Sequence, residues 1–456
     1  TMNDSFHYVG VGVGPANLSL AALAAKASRR PARFYEAAPE FAWHPGLLFA
    51  ESLLQTSYLK DLVTPVDPTN PHSFLAYLVA HKQFYSFLTA DLPRVSRAEF
   101  SRYLAWVARS LPALRFGCPV LGVELEGEGF RVETARETVR ARHLVLGTGR
   151  RPKVPPCARP HLGERVLHAS RYRLLEPDLR GQRVAVVGGG QSGAEIVHHA
   201  LLDSGALPER LLWVGRRDTF YPLDDSPFAN EWFTPEYSEH FRRLEPARKA
   251  ELVARQTLAS DGVSMGLLQD IYRRLYALRF VEGRDPRAVR LLADHALDGL
   301  RPSPRGGFTL ELHSAAGRRR AEEVDLVVLA TGYRWELPAC LEPLRPRLRF
   351  VDGEPELGDD FSLAWDGPPG ARIFAQNAAR TQRGVADPNL SLLAWRSARI
   401  LNALEERLVY DCAPAESIVD WDDQAEVPST LRQGSPLEAP ASARRAAPLE
   451  AFAGAE

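Results

Sequence analysis

Phe6-His7-Tyr8-Val9-Gly10-Val11-Gly12-Val13-Gly14-Pro15-Ala16-Asn17 is a short apolar strand running into a glycine-rich turn. The stretch after it, Leu18 to Lys26, is apolar and alanine-rich and predicts a helix. A second strand, Ala32 to Tyr35, ends at Glu36. Strand, glycine turn, helix and strand form the βαβ unit of a nucleotide-binding fold. Gly10 permits the tight turn, and Gly12 lets the backbone approach a diphosphate. Gly14 continues the turn, and Pro15 stands where the third glycine of GxGxxG is usual. The helix start then offers unpaired N–H groups to phosphate, and Glu36 is placed to accept from ribose hydroxyls.

The same unit recurs further along. Arg183 to Val187 reads as a strand, Gly188-Gly189-Gly190-Gln191-Ser192-Gly193 as a complete loop, and Ala194 to Leu202 as a helix. The next strand, Leu211 to Val214, leads to Arg216 and Arg217 where the first unit has its acid. A guanidinium there suits a 2′-phosphate, so NADPH is expected in preference to NADH. Gly188, Gly190, Gln191, Ser192 and Gly193 are the expected loop contacts. Two such units imply two dinucleotides. The economical pairing is FAD on the first loop and NADPH on the second, with hydride passing from nicotinamide to flavin.

The chain of 456 residues has room for two to four domains at roughly 150 residues each. With 45% hydrophobic and 25% charged residues it is neither disordered nor collagen-like nor a coiled coil. Its 56 basic and 57 acidic residues nearly cancel, which argues against a nucleic-acid binder. Cys118, Cys157, Cys340 and Cys412 show no CxxC and no metal-ligand spacing. No metal is expected, a local redox dithiol is excluded, and a reducing, cytoplasmic setting fits. No apolar run approaches the ~18 residues of a membrane span.

The expected architecture is α/β, with two Rossmann-like dinucleotide-binding domains and a small, mostly helical substrate region. Residues 1–165 and 325–412 are assigned to the FAD domain. Residues 166–222 and 301–324 are assigned to the NADPH domain, and 223–300 to the helical region. Residues 413–456 are rich in Ala, Pro, Glu and Arg and are expected to be a disordered tail.

A dithiol reductase would need paired cysteines, and there are none. Asp325-Leu-Val-Val-Leu329-Ala330-Thr331-Gly332-Tyr333 resembles the D-x3-L-ATGY signature of N-hydroxylating flavoprotein monooxygenases. The F-x-G-x3-H pattern of Baeyer–Villiger and sulfide- or amine-oxidising relatives is missing, since Gly163 and His168 are one residue too far apart. Phe41-Ala-Trp43-His44-Pro-Gly46, Gln55-Thr-Ser-Tyr-Leu-Lys60-Asp61-Leu62-Val63, Asp67-Pro-Thr69, Phe228-Ala-Asn230-Glu231-Trp-Phe-Thr-Pro-Glu-Tyr237 and Leu390-Ser391-Leu-Leu-Ala-Trp395-Arg396-Ser resemble segments of the siderophore amine hydroxylases. That family acts on L-lysine, L-ornithine or diamines, and the resemblance covers about residues 6–412.

The resemblance implies N-hydroxylation of a terminal primary amine through a C4a-hydroperoxyflavin, for hydroxamate siderophores. Molecular oxygen is the co-substrate, and a homo-oligomer, dimer or tetramer, is expected. By the same resemblance Gln55 lies beside the flavin and acts in catalysis, and Asn230 contacts substrate there. Lys60 holds a substrate carboxylate, and Asp261 and Ser391 complete the substrate site. Trp43, His44 and Leu390 join the flavin contacts, and Tyr333 the NADPH contacts. The segment Ala259-Ser260-Asp261-Gly262 departs from the ornithine pattern. The sequence as a whole leans slightly toward a diamine, putrescine or cadaverine, over L-lysine, with L-ornithine and a plain NADPH oxidase behind.

Overall fold

Strand Ser5–Val11 takes an inner place in a seven-stranded sheet, flanked in parallel by Ala32–Tyr35 and Thr138–Leu146. The computed structural model describes residues 5–202, 207–351, 353–414 and 417–421. Residues up to Val419 form one unit, and Asp420 opens a second. Leu114–Arg115 extends the first sheet beyond Ala32–Tyr35. Ile373–Ala375 pairs with the far end of Thr138–Leu146, and the hairpin Val120–Glu126, Gly129–Thr134 with its near end.

Helix Pro15–Ala27 starts on a proline, whose fixed φ suits a first helical position. Its Leu18, Leu20 and Leu23 are fully buried, each contributing about 1.5–3 kcal/mol. Helix Leu393–Glu405 packs along it, so the C-terminal part of the chain completes the first core.

The second sheet is all parallel, in the order Val289–Leu292, Arg210–Val214, Arg183–Val187, Leu326–Leu329, Val166–His168. Residues Val184 to Val187 and Leu326 to Leu329 are buried throughout, as a sheet covered on both faces requires. Asp325 joins the starts of two of these strands: its carboxylate accepts from the Arg183 backbone N–H at 2.9 Å and pairs with the guanidinium at 2.6 Å. A three-stranded antiparallel sheet, His295–Pro302, Phe308–Ser314 and Arg319–Val324, follows.

Sheet membership corrects three boundaries. Val289–Leu292 belongs to the second sheet, so the helical region ends before residue 300. His295–Pro302 already belongs to the antiparallel sheet, which therefore begins before residue 301. Leu326–Leu329 also lies in the second sheet, so the chain does not return to the first domain at 325. The physical reason is common to them: an apolar run fixes a strand, while its partner is fixed by long-range packing.

Between the sheets come short helices, among them Pro227–Asn230, Pro235–Arg243 and Pro246–Arg255. Ser226 and Thr234 cap the first two by accepting from Ala229 and Tyr237 N–H groups, each followed by a proline. Of the expected tail, residues 422–456 lie outside the described residues. Ser417 does not behave as free tail: its N–H donates to Glu236 at 2.7 Å and its hydroxyl to Glu231 at 2.5 Å. Among the described residues no helix is long and apolar enough to cross a membrane.

Candidate active site

The first glycine loop is held from below and open above. Gly12 has φ +85°, and a Cβ there would stand 2.8 Å from the Gly147 carbonyl oxygen. A Cβ at Gly10 would enter the Phe34 ring. At Gly14 it would make only ordinary contact. Glu36 accepts from Val13 N–H at 2.7 Å with one oxygen and from Ala38 N–H at 2.9 Å with the other. It thus shapes the loop, and its remaining lone pairs stay available to a ribose. Pro15 begins the helix directly behind Gly14.

In the second loop Gly188 and Gly193 are required by the protein itself. A Cβ at Gly188 would meet the Ala330 carbonyl at 2.0 Å, and one at Gly193 the Gly188 carbonyl at 2.1 Å. Gly190 faces the Asp261 carbonyl, 3.5 Å from a built Cβ. Gln191 and Ser192 open helix Gln191–Leu202. Arg216 and Arg217 follow strand Arg210–Val214, and neither forms an ion pair with another described residue. Replacing both by Ala removes charge-assisted phosphate contacts of about 1.5–3 kcal/mol each. The KM for NADPH should rise by roughly ten-fold or more, and that for NADH should stay nearly constant; steady-state kinetics on the two cofactors checks this. Equal rises would remove the arginines from the 2′-phosphate.

The two halves meet at Gln55. Its side-chain amide donates to Gln191 Oε1 at 3.2 Å and lies 3.4 Å from Ser264 Oγ. Gln191 in turn donates to Glu195 at 2.9 Å and accepts from the Ser264 N–H at 2.9 Å. Glu195 pairs with Arg97, which also donates to Ser52 at 2.7 Å. Both charged groups are largely buried and face each other across the domain boundary.

His44 sits beside this network in the left-handed conformation, φ +47°. Its ring lies 5.5 Å from Trp43 and 6.2 Å from Tyr333. The surrounding protein and the Arg97 charge push its pKa down, while the residue itself stays exposed on the cleft between the two halves. Trp43 is buried in the first core against Phe100. Burial also pushes the Tyr333 phenol up. The turn Pro45–Leu47 presses on the second half so closely that a Cβ at Gly46 would overlap the Ser170 carbonyl.

Lys60, expected to meet a substrate carboxylate, is partly buried. Its ammonium donates to the Phe233 carbonyl at 3.2 Å, and among the described residues it has no carboxylate within ion-pair distance. Burial lowers its pKa, and the more distant Glu231 opposes the shift. Asp61 is not its ion-pair partner: its oxygens accept from the Val63, Thr64 and Phe74 N–H groups and the Thr64 hydroxyl. Ser391 bonds Thr56 at 3.1 Å, which ties Leu390 and Ser391 to the segment that carries Gln55 and Lys60.

Among the described residues the Asn230 and Asp261 side chains bond groups other than Lys60. The Asn230 side chain is exposed and donates to the Asp225 carbonyl at 3.0 Å. Asp261, expected at the substrate, stands over the second glycine loop and pairs with Arg380 at 3.4 Å. Its helix, Leu258–Asp261, is set against that loop by backbone packing that sequence pattern does not encode.

Sequence reading passed over Arg97, Glu195, Ser264, Arg150 and Arg380. One signal was available: Glu195 is a carboxylate on the buried face of an otherwise apolar helix, which demands a partner.

The family model described as L-lysine 6-monooxygenase/L-ornithine 5-monooxygenase matches residues 4–335. The L-lysine N6-monooxygenase of Escherichia coli is 42% identical over 92% of this chain and 99% of its own. A solved structure of an FAD-bound cadaverine monooxygenase from Erwinia amylovora superposes with TM-score 0.87 at 30% identity, over 93% of this chain and 100% of that one. An ornithine N-hydroxylase from Kutzneria, solved with reduced FAD, NADP+ and L-ornithine, gives TM-score 0.81 at 26% identity over 88% and 99%. The chain belongs to the L-lysine 6-monooxygenase/L-ornithine 5-monooxygenase family.

Proposed function

We propose that this enzyme N-hydroxylates the side-chain amine of L-lysine, with FAD on the first glycine loop, NADPH on the second and molecular oxygen as co-substrate. The product class is the hydroxylamine precursor of hydroxamate siderophores. The observation that carries the substrate is Lys60, a half-buried ammonium with one carbonyl partner and no carboxylate. A buried cation in that state is costly unless an anion joins it. An amino-acid carboxylate supplies that anion, whereas a diamine would bring a second cation to it. The similarity to a lysine monooxygenase supports the same choice. The diamine reading has in its favour the close superposition on a protein described as a cadaverine monooxygenase and the similarity to putrescine N-hydroxylases.

The first glycine loop fits a dinucleotide: Gly12 lets it lie flat against Gly147, where a Cβ would stand 2.8 Å from the carbonyl oxygen, and Glu36 keeps lone pairs for a ribose. Bound FAD supplies the oxygen chemistry. This chain orients the partners and keeps water away. Gln55, fixed by Gln191 and Ser264, is a neutral donor that links the two nucleotide halves. Neutral His44 and buried Trp43 wall the same region without adding charge. A free alkyl ammonium has pKa near ~10.4 and must lose its proton to react. Anchoring the amino acid at Lys60 leaves the far amine to enter the less polar side, where desolvation favours the neutral form.

Hydroxylamine product measured with L-lysine, L-ornithine, putrescine and cadaverine tests this. L-Lysine should give the highest kcat/KM. Lys60→Ala should raise the L-lysine KM by roughly 10- to 150-fold, the equivalent of 1.5–3 kcal/mol, with NADPH oxidation rates retained. Higher kcat/KM on cadaverine or putrescine, with diamine KM insensitive to Lys60, would establish the diamine reading instead.

A further inference from the structure

Strands Thr138–Leu146 and Ile373–Ala375 run side by side, with Leu146 opposite Ala375. Beyond their carboxyl ends stand two arginines. Arg150 follows the turn Gly147-Thr148-Gly149, and Arg380 opens the short helix Arg380–Arg383. Ligands of open α/β sheets bind beyond these strand ends.

The Arg150 Nε is fully buried and has no hydrogen-bond partner. Among the described residues Arg150 forms no ion pair. Burial and the neighbouring Arg380 charge both lower its proton affinity, and Asp261 is among the acids that oppose them. Arg380 itself is held loosely, at 3.4 Å from Asp261 Oδ1 and 3.3 Å from Ser260 Oγ. Arg217 reaches the Asp261 carbonyl from the other side at 3.4 Å. That carbonyl faces Gly190 of the second loop.

The other two acids near Arg150 are already engaged. Asp387 takes Arg396 and the Ala379 N–H, and Glu354 takes the Thr381 hydroxyl and N–H. Arg380 and Arg217 therefore meet at Asp261, one on its carboxylate and the other on its backbone carbonyl, with Arg150 nearby and without an ion-pair partner of its own.

We propose that Arg150 and Arg380 form an anion subsite for the diphosphate of the nicotinamide dinucleotide, where it passes from the second glycine loop toward the first domain. This rests on the reading that NADPH occupies that loop. Both FAD and NADPH carry a diphosphate. The tie to NADPH is Asp261, which joins Arg380, Arg217 and Gly190. A diphosphate contact differs from a 2′-phosphate contact in one measurable way: it is shared by NADPH and NADH.

The test uses the FAD-loaded full chain with Arg150→Gln, Arg380→Ala and the charge-keeping Arg150→Lys. NADP+ affinity is measured by titration calorimetry, KM for NADPH and NADH by kinetics, and FAD content by absorbance. Inorganic pyrophosphate is tested as a competitor of NADPH. Arg150→Gln and Arg380→Ala should each weaken NADP+ by about ten-fold or more, and raise both nicotinamide KM values alike. FAD content should hold, pyrophosphate should compete less well, and Arg150→Lys should restore part of the affinity.

Loss of FAD with unchanged NADP+ affinity in the loaded fraction would assign the pair to the flavin diphosphate and overturn the proposal. An effect on NADPH but not NADH would move the pair to the 2′-phosphate and overturn it too, as would no effect on either. The Arg216/Arg217 double variant, run alongside, separates the two readings. If it changes the preference for NADPH while Arg150 and Arg380 do nothing, only the subsite fails. If it changes nothing, the reading of the second loop fails with it.

Discussion

Gly12→Val should purify as a colourless or flavin-poor protein. Gly12 has φ +85°, where an L side chain is strained by about 1–2 kcal/mol. Its Cβ would lie 2.8 Å from the Gly147 oxygen and 3.0 Å from the carbonyl carbon, both backbone atoms that cannot swing aside. Relief therefore requires the loop to lift away from Gly147. The lifted loop occupies the space that a diphosphate needs and turns its N–H groups off target. Flavin absorbance per mole of protein should fall by at least about ten-fold, since several charge-assisted contacts go together. Far-ultraviolet circular dichroism should remain close to that of the parent apoprotein. A fully yellow variant would show that the first loop does not carry the flavin.

Arg396→Met should be the most destabilising of the changes considered. Arg396 is 1% exposed, pairs with Asp387 at 3.0 Å and also reaches Gln376 and the Asn377 side chain. Removing the cation leaves the Asp387 carboxylate buried with only the Ala379 N–H, a state that typically costs 3–5 kcal/mol. The loss should spread to the flavin loop. Gln376 donates to Asn17 at 2.9 Å, and Asn17 donates to the Gly12 carbonyl at 2.8 Å and the Val145 carbonyl at 3.2 Å. Thermal unfolding should shift down on the order of 10 °C. The double variant Arg396→Met with Asp387→Asn should recover part of it, because the stranded charge is gone. An unchanged midpoint would mean that Asp387 finds water or another donor on its own.

Both nucleotide units were legible because strand, glycine turn and helix follow one another within a short stretch of chain. Gly12, Gly188 and Gly193 stand where a Cβ would strike a backbone atom, and the flanking strands are apolar runs. Strand Val289–Leu292 was hidden because Arg290 breaks the run, and its membership depends on Arg210–Val214 lying beside it. Leu326–Leu329 was read as a strand but given to the wrong sheet, since an apolar run does not name its neighbour. Lys60 could be suspected from the motif. Its lack of a carboxylate partner is a tertiary fact, set by how Asp61 spends its oxygens on backbone N–H groups. Asp261 is likewise set by packing: Leu258–Asp261 turns its backbone carbonyl to the nucleotide loop and its carboxylate to Arg380, which no motif encodes.

The interleaved first core has a bearing on how this chain is made. Helix Pro15–Ala27 leaves the ribosome early, yet the helix that covers it, Leu393–Glu405, and the strand Ile373–Ala375 come near the end. At roughly 5–20 residues per second, the first apolar face waits tens of seconds for its cover. The parallel sheet from Val166 to Leu329 is complete sooner and can collapse while the older segment is still uncovered. Nascent chains stalled between residues 330 and 390 should therefore show a protease-resistant inner domain flanked by a sensitive N-terminal arm. Such an order makes early chain termination self-clearing, because a product lacking its last helix keeps an open apolar face that degradation can seize.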